Sequence, residues 1–391
     1  MPFDFDTIID RRNTGCVKHD KVEENGFPAD TLPMFVADMD FQVAPCIIEA
    51  LNKKTAHGIF GYSFATEGYF SALQNWFAKR FGWEIQKDWI RFSPGVVSAL
   101  STAVRILTQP GDAVMVLTPV YPPFFRAVQN NDRKLVECPL LYENGRYSID
   151  FADFEEKIVS NAVKMLILCS PHNPICRVWT QEELSKLGTI CLRHGVKVVS
   201  DEIHCDFTWP GVVHNPFPKA CPEMIDNVIV CTAPSKTFNL AGLQTSNIII
   251  PGAAIREAWN REMDRLSIHE PNSLGLIACQ AAYENGAPWL DACIAYMYDN
   301  LRYVQDYLAE NIPQIKVVHP EGTYFAWLDC SELGMTEEEL NDLFLWKAHV
   351  WLDEGKIFGK IGGQFQRVVL ASSRKVVAEA LDRIRNALAQ R

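Results

Sequence analysis

Short apolar runs alternate with stretches of helical periodicity between about residues 90 and 250. Runs of this kind are typical of strands that are buried on both faces of a sheet. Five of them stand out: DAVMVL at 112–117, VKMLILC at 163–169, VKVVS at 196–200, NVIVC at 227–231 and SNIII at 246–250. Together they predict one buried sheet.

A helix is predicted between the second and the third of these strands. In its sequence, TQEELSKLGTICLRHG, Thr180 and Glu183 have the spacing of a capping box and Gly195 marks the C-terminal stop. The repetition of strand, helix and strand favours an α/β fold, with a mainly parallel sheet between helices.

The pattern changes after Pro271. A long helical stretch around 273–310 precedes four further predicted elements, which indicate a smaller α+β domain. They are the strand GTYFAWLDC at 322–330, a helix from Thr336, the strand QRVVLAS at 366–372 and a helix from about Val376. Residues 1–45 have little periodicity of their own. We therefore assign residues 46–285 to a large domain, and 1–45 together with 286–391 to a small one.

Composition narrows the classes of partner. The chain has 391 residues and a formal net charge of −11. Proteins that bind nucleic acids or anionic membranes usually carry an excess of basic residues, so neither partner is expected. A small soluble molecule is the expected partner.

The chain has no signal-peptide pattern and no continuous apolar stretch as long as a membrane span, so a cytoplasmic protein is expected. Its twelve cysteines include no CxxC pair and no zinc-ligand spacing, so no metal site is predicted.

Polar residues follow several predicted strands, at the edge where open α/β sheets bind ligands. Asp201 brings a charge to the mouth of the buried sheet, although it could be a helix cap or part of a structural ion pair. Lys236 could be a surface residue, a phosphate contact or, when deprotonated, a Schiff-base amine. The turn SPGVVSAL at 93–100 opens a helix and can hold a phosphate. This combination matches pyridoxal phosphate, which needs an anion at its ring nitrogen, a phosphate cup and an imine.

Further segments of the chain resemble one protein family. They are LPMFVADMDF (32–41), HGIFGYS (57–63), TPVYPPFFRAV (118–128), CSPHNP (169–174), SDEIH (200–204), APSKTFNLAGLQTSNIIIP (233–251), PEGTYFAWLDC (320–330) and KIFG (356–359). The set resembles the pyridoxal-phosphate enzymes of the aspartate-aminotransferase fold, fold type I. Within that fold it is most similar to the bacterial C–S lyases, or cystathionine β-lyases, of the subfamily that includes a maltose-regulon modulator.

The resemblance implies a cofactor site. Lys236 would form the imine with pyridoxal phosphate, and Asp201 would pair with the ring nitrogen. Asn173 would bond the phenolic oxygen with His204 nearby, and Tyr121 would stack on the ring, which makes Tyr121 a catalytic candidate beside Lys236 and Asp201. The phosphate would be held by three residues, Val96, Val97 and Ser235. Structural roles stay open for Asn173 as a turn residue, and for His204 and Tyr121 as core residues.

The resemblance also implies a substrate site and a homodimer. Arg374 would grip the α-carboxylate of an amino-acid substrate with two parallel hydrogen bonds, and Asn173 would also contact the substrate. Tyr62 would come from the neighbouring subunit and reach the phosphate or the substrate. A buried aromatic role for Tyr62 stays open.

Several positions depart from the family pattern. Cys176 replaces a usual glycine, either as a simple replacement or as a reactive thiol. Val369 and Ser373 replace an asparagine and a proline before Arg374, which affects where that arginine lies. Gln244 replaces the arginine that most aminotransferases use on the phosphate, and the C–S lyases share this replacement.

The resemblance to the C–S lyase subfamily implies that the protein is a carbon–sulfur lyase. The expected reaction is α,β-elimination of L-cystathionine or a related cysteine S-conjugate to a thiol, pyruvate and ammonia, with Lys236 as the general base. An aminotransferase of the same fold is the first alternative, because amino transfer would use the same residues. A regulatory protein that retains the fold is the second.

Overall fold

A seven-stranded sheet lies at the centre of the computed structural model, which describes residues 3–268 and 271–390. The strands of the chain are β1 Leu32–Pro33, β2 Ile90–Ser93, β3 Ala113–Thr118, β4 Lys134–Pro139, β5 Leu141–Glu143, β6 Arg146–Ser148, β7 Val163–Cys169, β8 Lys197–Asp201, β9 Val228–Thr232, β10 Ser246–Ile249, β11 Lys316–Val317, β12 Phe325–Asp329, β13 Val350–Trp351, β14 Asp353–Glu354 and β15 Phe365–Val369. The order across the central sheet is β2, β10, β9, β8, β7, β3 and β4. Strand β10 is antiparallel to both of its neighbours, and the other pairs are parallel. The expected α/β fold with a mainly parallel sheet is confirmed.

Helices cover both faces of this sheet, with α4, α5 and α10 on one face and α6 and α7 among those on the other. The α-helices of the described residues are α1 Val17–Glu24, α2 Pro45–His57, α3 Glu67–Phe81, α4 Val96–Leu107, α5 Pro123–Gln129, α6 Phe151–Ser160, α7 Gln181–Arg193, α8 Phe217–Ala220, α9 Pro234–Thr237, α10 Ala253–Leu266, α11 Ser273–Asn285, α12 Ala287–Asn311, α13 Glu337–Asn341 and α14 Arg374–Ala389. None of the helices in the described ranges is long and apolar enough to cross a membrane.

Neighbouring residues of β7 belong to two different cores. Met165 and Ile167 pack in one core with residues of α4, α5 and α10, whereas Leu166 and Leu168 pack in the other with residues of α6 and α7. Side chains alternate across a strand, so a strand that is covered on both faces must be apolar at successive positions. This explains the continuous apolar run MLILC at 165–169, whereas Lys164, the second residue of β7, is exposed.

The capping box predicted for α7 is present. Thr180 Oγ1 accepts a hydrogen bond from the backbone N–H of Glu183, and the Glu183 carboxylate accepts one from the backbone N–H of Thr180. The same pair of bonds joins Thr336 and Glu339 at the start of α13. Gly195 follows α7 with a φ of +68°, a left-handed conformation that glycine adopts without a steric penalty.

A four-stranded sheet in the order β11, β12, β15 and β14 forms the C-terminal part of the fold. The N-terminal segment joins this part of the chain, because Leu32 of β1 pairs with Val350 of β13 in a parallel bridge. The predicted long helical stretch is two helices, α11 and α12, which meet at Gly286. The division into 46–285 and 1–45 with 286–391 stays a prediction.

Candidate active site

A cavity of about 380 Å³ opens at the carboxyl ends of β7, β8 and β9. The loops after these parallel strands meet there, as in other open α/β sheets. Eight of the residues predicted from the sequence line it: Val96, Val97, Tyr121, Asn173, Asp201, His204, Ser235 and Lys236. Gln244 lines it as well.

Lys236 lies in α9, the single helical turn that follows β9. Its Nζ donates a hydrogen bond to the backbone oxygen of Ala37 over 2.6 Å, and the hydroxyl of Tyr324 donates to the same oxygen over 3.0 Å. Burial lowers the pKa of Lys236 to about 8, and the positive charge of Arg367 acts in the same direction. An amine with such a pKa is partly neutral near pH 8, so it can act as a nucleophile or a base.

Asp201 ends β8, where it is in register with Cys169 of β7 and Cys231 of β9. The backbone N–H of Ile203 donates to its Oδ1 over 3.1 Å. Burial raises the pKa of Asp201 to about 7, although the charge of Lys236 acts against this change. A buried carboxyl with this pKa favours a cationic or N–H-bearing partner in the cavity.

His204 and Asn173 supply polar groups on the wall of the cavity. The Nδ1 atom of His204 is buried and has no hydrogen-bond partner among the described residues, and burial lowers the pKa of this histidine well below its usual value. Asn173 is buried, and its Oδ1 accepts a hydrogen bond from Arg367. Tyr121 is half-buried in the loop after β3, and burial raises the pKa of its hydroxyl.

The start of α4 forms one end of the cavity. Val96 and Val97 belong to its first turn, whose backbone N–H groups and positive dipole end favour an anion. Ser235, Thr245 and Ser246 line the same cavity and add hydroxyl groups. This end of the cavity is therefore suited to a phosphate group.

These residues fit pyridoxal phosphate. A buried carboxyl, an amine of lowered pKa and a helix start with hydroxyl groups line one cavity. The unpartnered Nδ1 of His204 is a further polar atom that a ligand could satisfy.

Arg374 does not lie at this cavity, and its predicted placement there is wrong. Arg374 begins α14, where its Nε donates to Asn300 Oδ1 over 2.7 Å and its guanidinium stacks on Tyr303. Its contacts are thus with α12. Arg367, seven residues earlier on β15, instead donates from Nη1 to Asn173 Oδ1 over 2.7 Å.

Arg367 was not predicted from the sequence as a site residue. It is buried, it donates from Nη2 to the backbone oxygen of Phe35 over 2.9 Å, and it forms an ion pair with Asp353. A signal was present, because Arg367 is a charged residue inside the apolar run QRVVLAS and therefore needs polar partners. The same reasoning had singled out Asp201.

Tyr62 lies outside the cavity of its own chain. It is fully exposed, in a segment without regular secondary structure between α2 and α3. Its placement is compatible with a contact to another subunit, and its role stays a prediction.

Cys176 adopts a left-handed conformation with a φ of +60°, which explains why glycine suits this position. The thiol is fully buried against the backbone oxygens of Pro174 and Phe325. Burial raises its pKa to about 12. These properties favour the simple replacement over a reactive thiol.

Comparisons with known proteins agree with this geometry. The sequence profile of the aminotransferase class I and II family matches residues 30–384. The chain is 42% identical over 384 residues to the cystathionine beta-lyase PatB of Bacillus subtilis (strain 168), covering 98% of this chain and 99% of the relative. It is 33% identical to the protein MalY of Escherichia coli (strain K12), covering 99% of both chains.

A solved structure has the same fold over its whole length. The chain superimposes on cystalysin from Treponema denticola, which contains a pyridoxal 5'-phosphate cofactor, with a TM-score of 0.96, 41% identity and 100% coverage of both chains. The aspartate-aminotransferase fold and the resemblance to cystathionine β-lyases are thereby confirmed. The chain belongs to the aminotransferase class I and II family.

Proposed function

We propose that the protein is a pyridoxal-phosphate-dependent carbon–sulfur β-lyase, which converts L-cystathionine or related cysteine S-conjugates into a thiol, pyruvate and ammonia. The observation that carries the proposal is the pairing of Lys236 and Asp201 in one cavity. They lie in a chain that is 42% identical to a cystathionine beta-lyase. When it is bound, pyridoxal phosphate supplies an aldehyde that links to amines and a ring that accepts the electron pair released at the substrate Cα.

Lys236 and Asp201 have complementary tasks in this reaction. Lys236 would hold the cofactor through Nζ, and the same atom, once released, would take the proton from the substrate Cα. A pKa near 8 suits this exchange, since the amine can both accept and return a proton near neutral pH. Asp201 would place a carboxylate beside the cofactor's ring nitrogen and so favour the protonated form of that nitrogen.

The other residues of the cavity bind and orient. Tyr121 would stack on the cofactor ring, and Asn173 and His204 would supply polar groups for its phenolic oxygen. Val96 and Val97 at the start of α4, together with Ser235 of α9, would hold the phosphate.

Arg367 takes the role predicted for Arg374. A planar guanidinium matches a carboxylate in geometry and charge, so Arg367 binds the substrate α-carboxylate beside Asn173. Its bond to Asn173 and its ion pair with Asp353 fix the orientation of the guanidinium before the substrate arrives.

A homodimer completes the site in this proposal. The segment that carries Tyr62 also exposes Phe60 and Phe64, and exposed apolar residues in a group mark interaction surfaces. A second cavity of about 480 Å³ shares Gln244 and Thr245 with the first, and it offers room beside the phosphate end for the partner's Tyr62. A twofold dimer would exchange these segments reciprocally.

We further propose that the enzyme works in the cytoplasm. All twelve cysteines are free thiols, and ten of them are buried. Free thiols persist in a reducing compartment.

Product analysis tests the proposed function. The enzyme loaded with pyridoxal phosphate should release thiol and pyruvate from L-cystathionine in equal amounts, whereas Lys236→Ala should release neither. Transfer of the amino group to 2-oxoglutarate without thiol release would instead establish an aminotransferase.

A further inference from the structure

Asp206 is a buried carboxylate that the proposed reaction does not use. It lies five residues after Asp201, in the loop that follows β8. Its Oδ1 accepts a hydrogen bond from Trp76 Nε1 over 3.1 Å, and Arg80 Nε lies 3.8 Å from the same oxygen. Burial raises the pKa of Asp206, because a carboxylate that is removed from water is less stable in its charged form. A buried carboxylate of this kind therefore calls for a role that its hydrogen bonds explain.

The second oxygen of Asp206 reaches the turn that carries the lysine. Thr237 Oγ1 donates to Asp206 Oδ2 over 2.7 Å, and Thr237 is the residue directly after Lys236. This turn, α9, has four residues, so it lacks the internal hydrogen bonds that would make a longer helix rigid. Thr237 is itself buried, which places this bond away from water.

The bond therefore ties together the two segments that carry the reactive groups. One segment runs from Asp201 to Asp206, and the other contains Lys236 and Thr237. The hydrogen bond of Trp76 and the nearby guanidinium of Arg80 connect the same carboxylate to α3. We propose that Asp206 is a positioning residue, which acts through Thr237 to hold Lys236 in its place in the cavity that Asp201 also lines.

This inference rests on the proposed function for its meaning, but its test can be made on the cofactor-free chain. If the bond is lost, the turn loosens and the Lys236 side chain gains access to water. If the amine is less buried, its pKa should rise towards that of an ordinary lysine. A bond with a merely structural role would leave the titration of Lys236 unchanged.

Variants of Thr237 isolate the bond. Thr237→Val keeps the shape of the side chain and removes the hydroxyl, Thr237→Ala removes it without filling the space, and Thr237→Ser restores it. Trp76→Phe is the matched control, because it removes the hydrogen bond from Trp76 to the Asp206 carboxylate and leaves the bond from Thr237. In each variant, Lys236 is labelled with a dilute acylating reagent across a pH range, and its peptide is quantified by mass spectrometry. Thermal unfolding is measured in parallel.

The expected result is a labelling midpoint about one pH unit higher in Thr237→Val and Thr237→Ala than in the parent. Thr237→Ser and Trp76→Phe should keep the parent midpoint, although Trp76→Phe should unfold at a lower temperature. Parent-like midpoints in Thr237→Val and Thr237→Ala would overturn the proposal, whatever their thermal stability. A chain that does not bind pyridoxal phosphate would refute the proposed function, and the labelling experiment would still decide the role of Asp206.

Discussion

Arg367 and Asn173 are joined by a hydrogen bond of 2.7 Å, from Nη1 of the arginine to Oδ1 of the asparagine. This contact connects β15 of the C-terminal sheet to the loop after β7 of the central sheet. The two parts of the fold thus meet at the cavity that contains Lys236. The substrate carboxylate site is therefore expected at this junction.

Exchanging each of the two arginines tests that expectation. Arg367→Lys keeps the charge and loses the two-pronged donor, so the KM for amino-acid substrates should rise about ten- to a hundredfold, as expected for the loss of about 1.5–3 kcal/mol. The matched control, Arg374→Lys, should change KM less than about threefold. Steady-state kinetics with L-cystathionine give both values. A large effect of Arg374→Lys alone would restore the original expectation.

The stability of the cofactor-free protein should depend on Asp201. The pKa of Asp201 is raised from 3.8 to about 7 on folding, so the folded chain binds this proton more tightly than the unfolded chain does. Stability from this group is therefore lost as the pH rises from about 4 to 7. Asp201→Asn should raise the free energy of unfolding above pH 7 by about 2–4 kcal/mol, and the gain should vanish near pH 4.

Urea unfolding of the cofactor-free chain at several pH values measures this difference. Asp132→Asn, a change of an exposed carboxylate, is the control and should leave the unfolding free energy unchanged at every pH. A variant Asp201→Asn that is less stable than the parent above pH 7 would contradict the account.

Cys176 should be chemically inert. Its thiol is fully buried and its pKa is raised to about 12, so little thiolate is available for a reaction. Cys176→Ser should retain activity within about twofold. A thiol reagent at pH 8 should leave Cys176 unlabelled in the folded protein, while the partly exposed Cys16 reacts. Rapid labelling of Cys176 together with loss of activity would point to a reactive role.

Mixing two inactive variants tests whether Tyr62 acts across a dimer. Lys236→Ala and Tyr62→Ala should each have little activity alone. If Tyr62 serves the neighbouring subunit, a mixed dimer contains one site with both native residues, so reassociation of an equal mixture should restore about a quarter of the native sites. Light scattering measures the oligomeric state of each sample. A dimeric mixture that stays inactive would contradict the exchange of Tyr62.

The sequence predicted the central sheet well because the signal for its strands is local. The run VKMLILC coincides with β7, and NVIVC overlaps β9 within one residue at each end. Strands β2 and β4 were not predicted. Strand β2 has only four residues, and β4 alternates between exposed and buried positions at the edge of the sheet. Neither forms a continuous apolar run.

The placement of the two arginines could not be read from the sequence in the same way. Arg367 and Arg374 are seven residues apart on either side of the boundary between β15 and α14. Which of them faces Asn173 depends on the pairing of β15 with its neighbours, where Arg367 is in register with Asp353 of β14. Such long-range contacts leave no periodic pattern in the chain. The lysine and the aspartate were easier to identify, because each lies at the end of a clearly predicted strand.

The most direct test of the central claim is a partition experiment in one vessel. The enzyme loaded with pyridoxal phosphate is incubated with L-cystathionine and 2-oxoglutarate together, and thiol, pyruvate and glutamate are quantified over time. We predict that thiol and pyruvate accumulate in equal amounts and far exceed glutamate, and that Lys236→Ala forms none of the three. Accumulation of glutamate without thiol or pyruvate would contradict the assignment as a carbon–sulfur lyase.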